Sequence, residues 1–297
     1  MPVSNRVSSS KANAARVSSS VASLPYMSDT ALTSTLTPSQ YLQRVTDLQQ
    51  MDLQSAVDQM RTLLTLYPQK VYKMAYYRKQ TKNHWARDDP AFCFLQVIMV
   101  IASSTAYGFA FRVSSLSSII GFVTKSVLLH WLGFGVVMAS VGRVVANQHL
   151  QAERSSSHVK QSVEWLYAFD VHCNAFVPLF VLLCKWRRIL VVRTLLTTDV
   201  SSNLLHVDGI QFFLLPLVLG TSLLSLGISN TLYAIAFGWY FYIFHLGFRA
   251  LPFLSNTEVF LFPMAIILVL YVFNFVGYPF GLGFNASRIV AYVYFED

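Results

Sequence analysis

The chain has 297 residues, of which 54% are hydrophobic and only 12% charged, with a formal net charge of +8. A soluble domain carries roughly a quarter charged residues, so this composition excludes one water-soluble core and points to a membrane protein. Its apolar residues are gathered into runs near the ~20 residues that a helix needs to cross a bilayer core.

Residues 1–36 are rich in Ser, Thr and Ala, carry Arg6, Lys11 and Arg16, and have Asp29 as their only acid. They lack the apolar stretch of a secretory signal peptide. They read as a disordered tail, a composition shared with organelle transit peptides. Order is expected to begin at "TPSQ", where Thr37 is placed to cap, Pro38 suits the first helical position and Gln40 stands where a capping box puts its partner. Leu53, Val57, Met60, Leu64 and Tyr67 recur at helical spacing until Pro68. This predicts one amphipathic helix that lies on a membrane surface or packs on a partner.

Between Arg61 and Pro90 the cations Arg61, Lys70, Lys73, Arg78, Lys79, Lys82 and Arg87 face only Asp88 and Asp89. Residues 91–111 follow without a charge and read as a first membrane span. Asp89 is placed to cap it, with Pro90 at the first helical position and both carboxylates at the positive end of the helix dipole. Cations just before a first span mark that side as cytoplasmic, and Tyr72, Tyr76, Tyr77 and Trp85 suit the headgroup level. Lys70, Lys73, Arg78, Lys79, Lys82, Trp85, Arg87, Asp88 and Asp89 are therefore candidate residues for binding a partner or anionic lipid.

Further apolar runs are expected at about 119–142, 164–184, 210–228, 231–248 and 258–277. In lipid only an all-helical bundle satisfies their backbones. The fold class is thus all-α, a polytopic helical membrane protein of five or six apolar segments with a cytoplasmic N-terminal amphipathic helix and a basic juxtamembrane collar. The divisions are 1–36 (tail), 37–90 (helix and collar), 91–280 (bundle) and 281–297 (C-terminal tail).

Within the third run, Asp170 and Asn174 share a helix face with Tyr167 and Glu164 one and two turns earlier, while His172 points elsewhere. This intramembrane polar cluster, Glu164, Tyr167, Asp170, His172 and Asn174, either joins helices by hydrogen bonds or serves transport. Cys93, Cys173 and Cys184 lie in apolar runs without paired spacing and read as small core residues, with no metal site and no disulfide framework. His130 reads as a packing residue. "GLGFNA" at 281–286 follows no soluble strand, so it does not read as a dinucleotide loop. Asn285 with Ser287 forms an N-glycosylation sequon, usable if the C-terminus is lumenal.

The blocks "QMDLQSAVDQM" through "PQKVYKMAYYRKQTKNHWARDDPAF" and "VEWLYAFDVHCNAFVPL" resemble two signature regions of the UNC-fifty family, and "ALPFLSNT" at 250–257 resembles a third. The resemblance covers about residues 50–280. It implies a multi-pass protein, usually of five spans, in the Golgi membrane, with the endoplasmic reticulum or nuclear membrane as alternatives. It further implies vesicular trafficking, with an Arf-type guanine-nucleotide exchange factor and membrane cargo as partners. It implies no catalytic residue and no cofactor, and RNA binding has been ascribed to one member.

The chain departs from the family pattern at about 185–208. A third run that fully spans from the cytoplasm puts Lys185, Arg187, Arg188 and Arg193 in the lumen, against the positive-inside rule. The expectation is therefore a segment that dips in and returns, helped by Pro178, leaving five spans and a lumenal C-terminus. Function reads first as a non-enzymatic docking scaffold. The alternatives are a channel or carrier using residues 164–174, and RNA binding by the collar, whose cations alternate with aromatic rings.

Overall fold

The computed structural model describes residues 51–110, 115–152, 161–196, 222–287 and 289, with 107, 110 and 184–196 as backbone only. The tail at 1–36, the helix start at 37–40 and the apolar run from 210 to 221 lie outside the described residues. The elements of the described residues are helices joined by turns and short connections, apart from one isolated antiparallel bridge between Gln151 and Leu254.

Two short helices precede the bundle, α1 (Leu53–Leu63) and α2 (Lys70–Lys82). Asp52 starts α1 by accepting from the Ser55 N–H at 2.9 Å. The residues that α1 buries are Ala56, Met60 and Leu63, whereas the expected Leu53, Leu64 and Tyr67 are exposed. The apolar face is rotated because the small Ala56 permits close approach to the bundle and Leu63 has no exposure left. Asn83, at φ 58°, ends α2 in the left-handed conformation that asparagine tolerates.

The bundle follows as α3 (Ala91–Ala110), α4 (Leu116–His149), α5 (Trp165–Leu196), α6 (Leu223–Arg249) and, after a 3₁₀ turn at Thr257–Leu261, α7 (Phe262–Gly277). Among the described residues four helical segments are long and apolar enough to cross a membrane: Leu116–His149, Trp165–Leu183, Leu223–Arg249 and Thr257–Phe280. The 20-residue α3 is apolar over the shorter stretch Ala91–Ala106. The protein is a polytopic helical membrane protein.

Close contacts fix the direction of each helix. Gly108 of α3 lies against Ile119 of α4, Asn147 of α4 bonds Val163 before α5, and Tyr167 of α5 bonds Gly247 of α6. Thr231 of α6 meets Tyr271 of α7. The helices therefore alternate, and the collar, residues 150–152 and residues 253–255 share one end. The segment at 281–287 is at the other, bonded to Ser229 and Asn230 near the start of α6.

Three expectations are corrected here. First, α5 runs unbroken through Pro178 to Leu196, with no return. Proline costs one backbone bond that a packed helix in lipid survives. At 32 residues α5 is ~48 Å long, well over the ~30 Å apolar core. Positions 185, 187, 188 and 193 continue it away from the collar. Second, the break expected between 228 and 231 is absent, since α6 is continuous over 27 residues. Third, α4 extends to His149 and contains a π-helical stretch, Ser126–Gly133. A π turn shifts the register of the residues beyond it. His130 then faces outward, against the packing role read for it, and Trp131 is buried.

A charged latch at the collar end of the bundle

The collar does not stand off the bundle as one solvated surface. Lys70, Lys73 and Lys82 are exposed and Arg78 and Lys79 are half-buried. Trp85, at 3% exposure, and Arg87, at 8%, are turned inward. Trp85 packs its ring against Tyr76, Tyr167 and Phe253 at 6.2–6.4 Å between centroids, and Lys79 Nζ stands 5.9 Å from the Trp85 ring centre. The Trp85 N–H donates to the Glu164 carboxylate at 3.3 Å.

Arg87 is the centre of the arrangement. Its backbone N–H donates to Asp170 Oδ2 at 2.6 Å, and its Nη2 donates to Asn174 Oδ1 at 2.5 Å and to Gln59 Oε1 at 3.0 Å. Nη1 lies 3.8 Å from Asp170 Oδ1, and the guanidinium stacks 4.0 Å above the Phe92 ring centre. One side chain thus joins α1, the collar, α3 and α5. A buried cation is tolerable only when paired and hydrogen-bonded, and Asp170, Asn174 and Gln59 supply those partners. Asp170 lies ~8 Å along α5 from Trp165, closer to the interface than to the bilayer centre.

Arg78 is the second cation here. Burial first, and then the neighbouring Arg87, depress its pKa, and its Nη2 donates to the Trp85 carbonyl at 3.3 Å. Tyr72, fully buried, donates its hydroxyl to the Ile243 carbonyl on α6 at 2.9 Å, and burial pushes its pKa well up.

The two acids of the collar have separate tasks. Asp89 accepts from the Ala91 N–H with one oxygen and from the Asp52 N–H with the other, each at 2.9 Å. The same carboxylate therefore caps α3 and ties the start of α1 to it. Asp88 instead pairs with Lys82 and with His84 Nε2. Burial pushes the Asp88 carboxyl up, but hydrogen bonds from Lys82 and His84 outweigh that and hold it below the usual aspartate range.

Of the cluster, Tyr167, Asp170 and Asn174 on α5, with Glu164 just before it, all face collar or α6 partners. His172 is separate, bonded through Nδ1 to the Tyr240 hydroxyl at 2.9 Å and pressed against Gly135, where a Cβ would meet the ring at 2.7 Å. Sequence reasoning missed Gln59, His84 and Gln96. Gln96 donates to the Cys173 carbonyl at 2.6 Å and accepts from Trp131 Nε1 at 2.9 Å. An amide within an apolar run was the available signal, because such a group needs partners. Cys93 and Cys173, far apart in sequence, bring their thiols to 3.6 Å.

Asn285 is buried at the opposite end. Its Nδ2 donates to Ser225 Oγ at 3.3 Å and its Oδ1 accepts from the Ser287 N–H at 3.0 Å. The amide that a glycan must reach is held inside the bundle, which stands against use of the sequon in this conformation.

The profile of the UNC-50 family matches residues 41–207 and 200–295. The chain belongs to the UNC-50 family. It is 36% identical over 256 residues to the protein unc-50 homolog of Dictyostelium discoideum, covering 86% of this chain and 87% of that one. It is 35% identical over 254 residues to the human protein unc-50 homolog, covering 86% and 85%. Against the Danio rerio protein unc-50 homolog the figure is 37% over 262 residues, covering 86% of each. No solved structure matches. In this UNC-50 family member the matched region includes every residue of the latch, from Gln59 through Arg87 to Asn174.

Proposed function

We propose that this UNC-50 family member is a non-enzymatic trafficking protein of the Golgi membrane, with its collar in the cytoplasm as a docking scaffold for an Arf guanine-nucleotide exchange factor during delivery of membrane cargo. The observation that carries the reading is the outer face of α2. That helix contains no acid, and it presents Lys70, Lys73, Met74, Tyr77, Gln80 and Lys82 outward while Val71, Tyr72 and Ala75 anchor it. A cationic face with an exposed tyrosine, held by a buried latch, has the fixed geometry that recognition of a protein partner needs.

The channel reading is less well supported, because Asp170 and Asn174 are occupied by Arg87. The RNA reading loses two of its stacking rings, since Trp85 and Tyr72 are buried.

The test is co-purification and Golgi recruitment of the exchange factor at matched expression. Tyr77→Ala and Lys73→Gln, both on the exposed face, are expected to reduce recruitment several-fold while leaving the protein folded. Normal recruitment by the Tyr77→Ala, Lys73→Gln double variant removes α2 as the docking surface. Trp85 and Arg87 are unsuitable for this purpose because changing them disturbs the fold.

A further inference from the structure

Cys93 and Cys173 are nucleophilic side chains to which neither the latch nor the proposed docking face gives a task. Their sulfurs stand 3.6 Å apart across the contact between α3 and α5. Both are free thiols, Cys93 half-buried in the first turn of α3 and Cys173 fully buried on α5. A thiol is a weak hydrogen-bond donor, so this contact adds little cohesion by itself.

The two helices are pinned to each other on either side of the pair. Phe92, the residue before Cys93, carries the Arg87 guanidinium 4.0 Å above its ring centre. Asn174, the residue after Cys173, accepts from the same guanidinium at 2.5 Å. About one turn further along α3, Gln96 Nε2 donates to the Cys173 carbonyl at 2.6 Å. The backbones that bear the thiols are therefore fixed near one another. Their sulfurs need to close by only about 1.5 Å to reach the ~2.05 Å of a disulfide, a gap that side-chain rotation covers.

We infer that Cys93 and Cys173 form a reversible redox site, in which hydrogen peroxide oxidises the two thiols to a disulfide that locks α3 to α5 beside the latch. Cys93 reacts first, because it is the member of the pair with exposure left, and it lies ~3 Å along α3 from Ala91 at the collar end. Its sulfur attacks one peroxide oxygen and the O–O bond breaks. The other oxygen leaves with the thiol proton as water, and Cys93 becomes a sulfenic acid. The Cys173 sulfur then displaces the hydroxyl group from that sulfenic acid, which forms the S–S bond and releases a second water carrying the Cys173 proton. Two thiols have lost two electrons and two protons, and one peroxide has become two waters. A thiol reductant reverses the change by exchange through a mixed disulfide.

The bond would join residues 80 positions apart. Closing so long a loop restricts the unfolded chain, so the oxidised protein is the more stable form. The contact between α3 and α5 then no longer rests on Arg87 and Gln96 alone. No exchange factor enters this inference, which therefore stands or falls separately from the docking proposal.

The experiment uses the purified full chain in phosphatidylcholine nanodiscs, reduced, freed of reductant and treated with hydrogen peroxide. Mass spectrometry of the digest is expected to show Cys93 and Cys173 in one cross-linked peptide pair, two hydrogens lighter than the separate peptides, which dithiothreitol removes. The unfolding midpoint should rise by about 5–10 °C on oxidation and return on reduction. In Cys173→Ala, dimedone present during the treatment should trap a sulfenic acid at Cys93, whereas in Cys93→Ala it should trap none at Cys173. Cys184→Ala should oxidise as the unaltered chain does. Thiols that stay reduced overturn the inference, as does a cross-link through Cys184 or a sulfenic acid that persists at Cys93 beside an intact Cys173. A Cys93–Cys173 bond that leaves the midpoint unchanged overturns the lock.

Discussion

Arg87 and Asp170 meet twice, once through the Arg87 backbone N–H at 2.6 Å and again through the guanidinium at 3.8 Å. The backbone contact does not depend on the Arg87 side chain, and the side-chain contact does. Loss of one partner of a buried pair costs about 3–5 kcal/mol, because the remaining charge is left without compensation.

Asp170→Leu is therefore expected to destabilise the protein by about that amount and leave little folded material. Asp170→Asn keeps a group that accepts from the Arg87 N–H and should cost less, nearer 1–3 kcal/mol. Thermal unfolding in detergent compares them. A stable, correctly placed Asp170→Asn protein without function would instead give the charge a role of its own, such as ion coupling.

Gly247 packs where a Cβ would lie 2.5 Å from Val171 Cγ1 and 2.6 Å from Cγ2. Gly247→Ala gains about 1 kcal/mol in helix propensity but overpacks the α5–α6 contact at about 1–3 kcal/mol or more. The expected net result is a lower unfolding temperature. Adding Val171→Ala should recover part of it, and no recovery would mean that the contact is not the cause.

Asp88 makes stability depend on pH. Its carboxyl titrates below the ordinary aspartate value in the folded protein, so its contribution is present above that ordinary value, about 3.9, and is lost as pH falls through the depressed folded value. Asp88→Asn should remove this acid dependence and lower stability at neutral pH by about 0–1 kcal/mol, the range for partly solvated pairs. Unfolding midpoints measured between pH 7 and pH 3 with and without the substitution decide it. Parallel pH profiles would assign the acid dependence to other groups.

Alternating helices put Gln80 of α2 and Leu282 beyond α7 at opposite ends of the bundle. Single cysteines introduced at each, in a chain lacking its native cysteines, should react with a membrane-impermeant maleimide from opposite faces. Gln80→Cys is expected to label from the cytosol and Leu282→Cys only after the lumen is opened. Labelling of both from the cytosol contradicts the alternation.

Features with local causes are readable from the chain. Asp89 and Pro90 mark the start of α3 because a cap involves only neighbouring backbone. The face shared by Glu164, Tyr167, Asp170 and Asn174 follows from helical period alone. The features that cannot be read depend on distant partners. Arg87 and Trp85 look like solvated collar residues until Asp170 and Phe253 arrive from elsewhere in the chain. The direction of α5 is hidden in the same way, because the cations after residue 184 outweigh packing when the sequence stands alone. The contacts of Tyr167 with Gly247 and of His172 with Tyr240 fix that direction.

The bond from Tyr72 to the Ile243 carbonyl spans 171 positions of the chain. When the ribosome has made α1 and α2, their seat on the bundle does not yet exist, and it is completed only after α6 has been inserted. Long-range closure of this kind comes late, since the contact cannot form before its far partner is synthesised. The seat of α1 and α2 is therefore completed long after the two helices have emerged. The fixed geometry of the outer face of α2 thus depends on a residue 171 positions further along the chain.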